Sequence, residues 1–275
     1  MLEQLKYQNH ENEVFAFGMA GIYVDTNDLH DYSWTVTKKN KRIASLDHDV
    51  SNHKLPIVIV CQTEEEGIAA RNRLFEVVEK DVLAFQYGRI IIGDYYFKCF
   101  VTKSAKKDYM RDKRYMTLTL TLTSDNPYWI RETSQLFMAG SSAAQSASGL
   151  GYPHDYPHDY SNDMETLTVT NTNFVASNFR LVINGACTNP VVYIAGHAYQ
   201  VNCDIGEGEY ITIDSSNKTV MLTAQDGTKT NMFNNRNKLS YIFEKIPAGK
   251  SPVSWSGEFN FEIILLEERS EPKWT

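Results

Sequence analysis

From Tyr115 to Thr123 the chain reads YMTLTLTLT, with Met116, Leu118, Leu120 and Leu122 on one parity and Thr117, Thr119, Thr121 and Thr123 on the other. An extended strand separates those two sets cleanly, because successive side chains of a strand point to opposite faces, whereas a helix scatters them around its circumference. The segment predicts a sheet with one apolar face and one threonine face that is wet or covered by a partner. Other stretches follow the same rule less strictly: Val14, Phe15 and Phe17 with Ile22 and Val24, then Tyr32 to Thr37, Arg42 to Leu46, the denser Leu55 to Gln62, and Tyr95 to Thr102. Lys38 to Lys41 makes a charged turn between two of these, and Pro56 is tolerable near the start of a strand.

A single segment of this half reads as helix. Thr63 and Glu66 have capping-box spacing, Glu64 to Glu66 sit at the positive end of the helix dipole, and Ile68, Phe75, Val78, Val82 and Phe85 recur until Gly88. The pattern predicts a helix over about 64–86 that lays this stripe on the sheet. Adjacent helical residues do not face one target, so the three glutamates read as dipole partners and not as metal ligands or an acid-base pair.

Beyond residue 163 strand-sized segments arrive at short intervals: Glu165 to Asn171, Phe179 to Asn184, Pro190 to Ile194, Tyr199 to Cys203, Tyr210 to Asp214, Thr219 to Ala224, Leu239 to Phe243 and Phe259 to Leu266. Asn-Gly, Ala-Gly-His, Gly-Glu-Gly, Asp-Gly and Pro-Ala-Gly turns separate them, which predicts a β-sandwich of jelly-roll type. The fold class is therefore mainly β: an antiparallel β domain with one packed helix over 1–132, a connection over 133–163, and a sandwich over 164–275. Within the connection, Thr133 to Gly149 is poor in charge and bulk. Tyr152, Pro153, His154, Asp155, Tyr156, Pro157, His158, Asp159 and Tyr160 follow as a tandem tetrapeptide. Its prolines fix their own backbone angle and push the preceding residues towards extended geometry, so the strap reads as semi-rigid.

Charge narrows the partners. The net charge is −7, and residues 136–275 hold most of it, with 9 Lys+Arg against 15 Asp+Glu. An acidic second half opposes a phosphate-tracking surface there. The basic residues Lys103, Lys106, Lys107, Arg111, Lys113 and Arg114 cluster between two strands, as the tip of a hairpin. Without an aromatic platform or a groove-entering helix, that tip fits a solvated loop or a contact with an acidic protein surface, and not nucleic acid. The cysteines Cys61, Cys99, Cys187 and Cys203 are too few and too scattered for a disulfide scaffold and read as buried thiols. The first residues hold no apolar signal core, and no apolar run approaches a membrane span, so the chain is expected to fold in a reducing cytoplasm away from membranes.

Catalytic, metal and cofactor motifs do not emerge. His154, Asp155, His158 and Asp159 have a spacing that would align ligands on a helix, which Pro153 and Pro157 oppose. Gly-x-Ser-x-Gly, phosphate-loop, Cys-x-x-Cys and His-Glu-x-x-His patterns are missing from the sequence. Asp204, Glu207 and Glu209 surround a glycine turn and read as solvated residues, because spacing alone does not identify a glycosidase pair.

The order of segments resembles the distal tail (Dit) family of long-tailed bacteriophages that infect Gram-positive hosts. The resemblance runs through DLHDYSWTV at Asp28 to Val36, EEEGIAARNRLFEVVEKDV at Glu64 to Val82, DNPYW at Asp125 to Trp129, the YPHDYPHDY strap, GEYITIDSSNKTV at Gly208 to Val220 and IPAG at Ile246 to Gly249. Tyrosine is common in that family where this chain has His154 and His158, so the chain adds two titratable groups to the strap.

The resemblance implies a non-enzymatic virion protein at the distal end of the tail, assembled in the host cytoplasm. Its first half would form a homohexameric ring and its second half a galectin-like sandwich. The implied partners are the tail tube protein, the tail-associated lysin or spike, the tape measure protein and receptor-binding proteins. Two other classes remain open at this stage. One is a carbohydrate-binding adhesin in which Tyr193, Tyr199 or Trp255 stacks on sugar; the other is a glycoside hydrolase with two convergent carboxylates.

Overall fold

The computed structural model of the protein describes residues 4–19, 21–107, 112–140 and 167–274. They fall into two compact units, Met1–Arg131 with Glu268–Thr275, and Glu132–Glu267.

The first unit contains β1 (Leu5–Gln8), β2 (Val14–Ala16), β3 (Ile22–Val24), β4 (Thr35–Lys39), β5 (Arg42–Asp47), β6 (Ser51–Val60), α1 (Glu64–Ala84), β7 (Gly88–Ile92), β8 (Tyr95–Lys107) and β9 (Tyr115–Ser124). It also takes the start of β10 (Trp129–Phe137), whose first residues pair with Tyr95–Phe97. The strands are antiparallel in the order β2, β1, β7, β8, β9, β6, β3. Along β9 the expected alternation holds: Met116, Leu118, Leu120 and Leu122 are buried and the threonines between them half-buried. The leucines pack with Leu55, Ile57 and Ile59 of β6 and with Leu74, Val77 and Val78 of α1 in one core.

Helix α1 begins where the capping box places it. Thr63 Oγ1 accepts from the Glu66 N–H at 3.2 Å, and Glu66 Oε2 accepts from the Thr63 N–H at 3.2 Å. Its buried face differs from the predicted stripe: Gly67, Ala70, Leu74, Val77, Val78 and Asp81 are buried, whereas Ile68 and Val82 are exposed and Phe85 is 85% exposed. Helical geometry ends at Ala84, and Phe85 turns the chain out in the left-handed region at φ 52°. The β4–β5 hairpin forms, but its first strand starts only at Thr35, and Asn40 and Lys41 make the turn with φ of 52° and 61°. Two consecutive left-handed residues are what a two-residue hairpin turn demands.

The second unit carries β11 (Thr168–Asn171), β12 (Asn178–Asn184), β13 (Cys187–Thr188), β14 (Val191–Ile194), β15 (His197–Gln200), β16 (Asp204–Ile205), β17 (Tyr210–Asp214), β18 (Thr219–Thr223), β19 (Lys229–Asn231), β20 (Gly249–Trp255) and most of β21 (Asn260–Arg269). One sheet orders β19, β18, β17, β12, β21 and a second orders β11, β20, β14, β15. Phe179, Leu181, Ile183, Ile211, Ile213, Phe261 and Ile263 of the first sheet meet Val169, Val192, Ile194, Tyr199, Val253 and Trp255 of the second in a single core. This is the expected sandwich of alternating strands.

Several local expectations change. Leu239–Phe243 is a turn and not a strand: Ile242 and Phe243 are buried there, while Leu239 is 97% exposed. Thr133–Phe137, read as connection, are strand. β1, β7 and β20 carried too few residues, or an interior Pro252, to be recognised beforehand. Tyr152 to Tyr160 and the rest of 141–166 lie outside the described residues.

Candidate functional site

The basic hairpin tip is the surface that sequence singled out for partner contact, and helix α1 shapes it. The end of β8 and the start of β9 pair up to Lys107 with Thr117. Arg71 of α1 donates from Nη2 to the Asp112 carbonyl at 2.9 Å and to the Tyr115 carbonyl at 2.8 Å, tying down the returning strand. Gly67 sits directly against the backbone of Lys113 and Arg114, where no Cβ fits. The helix can approach this closely because glycine occupies that turn.

Its cations are unequal. Lys106 Nζ lies 4.4 Å above the Phe75 ring, Lys113 is 3.4 Å from Glu64, and Arg114 pairs with Asp112 at 3.1 Å. The Arg114 contact lowers the Asp112 carboxyl below its ordinary range. Lys103 and Lys107 are exposed. Arg111 lies outside the described residues. The tip is thus less concentrated a charge than its sequence suggests, and Arg71, which the sequence does not single out, is its anchor.

A buried polar cluster also escaped the sequence. Asp81, fully buried on α1, accepts from Tyr7 Oη at 2.5 Å and from the His10 N–H at 2.8 Å, and His10 Nδ1 lies 2.6 Å from the same carboxyl. Burial, with Cys99 and Asp81 nearby, pushes the Tyr7 phenol far up. The phenol therefore stays a donor. This cluster ties β1 to the helix, a structural role.

A polar cleft of about 420 Å³ lies at the base of the β4–β5 hairpin, with Asp28, Asp31, Asp49, His48 and His53 in its walls. Two of its acids already hold the chain: Asp28 Oδ1 accepts from the Lys54 N–H at 2.6 Å, and Asp49 Oδ2 accepts from Thr35 Oγ1 at 2.6 Å. Among the described residues no group of three His, Cys, Asp or Glu is arranged to hold a metal ion, and no helix is long and apolar enough to cross a membrane.

In the sandwich, Tyr199 and Trp255 are core residues. Tyr199 Oη donates to the Glu244 carbonyl at 2.8 Å and Trp255 Nε1 to the Phe259 carbonyl at 3.0 Å. Of the aromatics considered for sugar stacking, Tyr193 is exposed. Glu209 accepts from the Gly206 N–H at 2.8 Å, the local turn role expected of it, while Asp204 and Glu207 face solvent.

Two β-rich units, one carrying a helix and one a sandwich, define a mainly β protein. Comparison of the whole chain with solved structures gives that class a particular form. The fold matches a chain of the phage P2 baseplate in its activated conformation, solved with calcium (TM-score 0.66, 12% identity) and with strontium (0.65, 12%), each covering 99% of this chain and all of the other. It also matches the SPP1 Dit protein, described as a paradigm of the hub adsorption apparatus in phages infecting Gram-positive bacteria (0.60, 8%, covering 96% and 99%). No protein-family profile and no curated protein matches the sequence.

Proposed function

We propose that this chain is a structural protein of a bacteriophage tail tip. The observation that carries the reading is the fold likeness over both units at once, from end to end, to baseplate and hub proteins. A likeness confined to the sandwich would speak only for a widespread architecture. In this reading the first half assembles as a homohexameric ring that joins the tail tube to the tail-associated lysin or spike. The ring is a hub for receptor-binding proteins, and the tape measure protein meets it from the tube side. The half-buried threonine face of β9 supports the reading, because a neutral hydroxyl-lined sheet suits a surface shared with neighbours. Exposed Lys103 and Lys107 then reach an acidic neighbour.

Gold-labelled antibody against the chain, applied to intact virions of the phage that encodes it, tests the reading. Label confined to the far end of the tail is the expected result. Label on the capsid, or none on particles with exposed tail tips, would overturn it.

A further inference from the structure

The strands β1, β6, β7, β8 and β9 contain no Asp or Glu, yet seven of their residues are Lys or Arg. Over residues 1–135 the charges nearly balance, 18 Lys+Arg against 19 Asp+Glu, so the acids lie elsewhere, six of them on α1. Lys106 turns to the helix, where its Nζ meets the Phe75 ring. The other six cations lie on the opposite face of the sheet, because successive side chains of a strand alternate and the intervening positions are buried under α1 or in the core.

The register gathers them. Arg89 is directly opposite Lys98 on one side and Gln8 on the other, and Lys6 lies two residues along β1 from Gln8. Further on, Lys54, Thr121 and Lys103 form one row across β6, β9 and β8, and Val58, Thr117 and Lys107 form another. Like charges directly opposed on neighbouring strands cost stability. Among the described residues no ion pair relieves Lys6, Lys54, Arg89 or Lys98. A face that holds repelling cations without a carboxylate calls for an anionic partner.

Length and composition decide which one. From Lys98 to Lys107 the cations span roughly 30 Å of β8, too long a row for a single small anion. Protein interfaces deplete lysine and enrich aromatic residues at their centres. This face instead alternates lysine with the threonine hydroxyls of β9, and both donate to phosphate oxygens. Its rings are already engaged, Tyr96 under the Arg89 guanidinium and Phe100 against Phe85 and Tyr87, and it offers no helix to enter a groove.

We propose that this face binds the phosphate backbone of duplex DNA without reading its sequence, through Lys6, Lys54, Arg89 and Lys98. Lys103 and Lys107 carry the face on to the tip already assigned to a protein neighbour. The inference does not depend on the assembly reading, since all four cations belong to one chain.

Fluorescence anisotropy of the full chain with two labelled duplexes of unrelated sequence, about 20 base pairs each, tests it over about 50–200 mM salt. Both duplexes should bind equally, with a Kd of about 1–100 µM at physiological salt and a log Kd against log salt slope of about 3–4 for four phosphate contacts. K6E/R89E/K98E should weaken binding at least thirtyfold at low salt and remove about three from the slope. K6Q/R89Q/K98Q, which neutralises without reversing charge, should weaken it less, and far-UV circular dichroism verifies that each variant is folded. No binding at about 50 mM salt, or binding that a folded triple variant retains, overturns the proposal. So does a loss that follows K103E/K107E and not the triple variants, which would place the contact at the tip. Tighter binding of poly-L-glutamate than of duplex at equal charge would give the face to an acidic protein, and a marked preference between the two duplexes would refute backbone-only contact.

Discussion

Replacing Asp81 with alanine tests whether the buried carboxyl is the tie between β1 and helix α1. The substitution removes three hydrogen bonds at once, from Tyr7 Oη, the His10 N–H and His10 Nδ1. It also leaves the Tyr7 hydroxyl, at 1% exposure, with a lost acceptor. Each such bond contributes about 1–3 kcal/mol net, and the carboxyl's own desolvation offsets part of the sum, so the loss should be about 3–5 kcal/mol. Because the chain has two units, one denaturation curve would blur the effect. Hydrogen exchange read by peptide separates them. The slowest amides of α1 and β1 should exchange about a hundredfold to a few thousandfold faster in Asp81→Ala, at roughly 1.4 kcal/mol per tenfold, while those of β12 and β21 keep their wild-type rates. Tyr7→Phe, which leaves both His10 contacts, should cost only about 1–2 kcal/mol. If the α1 amides of Asp81→Ala stay within threefold of wild type, the cluster carries no stability and the reasoning fails.

Three further outcomes follow from the same structure. Gly88→Ala places a Cβ against Asp81 Oδ2 and Tyr7 Oη. It should destabilise the first unit by about 1–3 kcal/mol, and less when combined with Tyr7→Phe, which removes one of the two clashing oxygens; exchange of the α1 amides reads both. Thr63→Ala removes the capping box and should cost about 1 kcal/mol, seen as faster exchange in the first turn of α1 and little change past its middle. Burial pushes the Cys203 thiol up to about 11 and the fully buried Cys99 thiol higher still. At pH 8 both are held as thiols, so peptide mass spectrometry after iodoacetamide treatment of the folded chain should find half-buried Cys61 and Cys187 modified first. Equal rates at Cys99 and Cys61 would contradict the burial assignment.

The sequence revealed what is decided within a few residues and hid what is decided across the chain. The β9 alternation and the Thr63–Glu66 cap were legible because strand period and capping chemistry are local. The helix face was misread for the opposite reason. Its buried positions include Gly67, chosen by the backbone of Lys113, and Asp81, chosen by Tyr7 and His10 some seventy positions away, and neither looks apolar. Ile68 and Phe85 look apolar and face solvent. In the sandwich, Ile242 and Phe243 imitate a strand, yet they enter the core from a turn. β20 was hidden by Pro252, although the strand pairs with β11 on one side and β14 on the other. The basic tip was visible as charge, but the pairing of its cations with Glu64, Asp112 and the Phe75 ring was not. The fully exposed β4–β5 hairpin was read only as two strands and a charged turn, because exposure is a property of what surrounds a segment.

Negative-stain class averages of the purified full chain test the central claim most directly. The account predicts closed particles with sixfold symmetry and an open centre, of about 190 kDa for six copies of a 31.4 kDa chain. Particles that stay single at every concentration at which the protein remains soluble, or that grow as open filaments without closing, would contradict it.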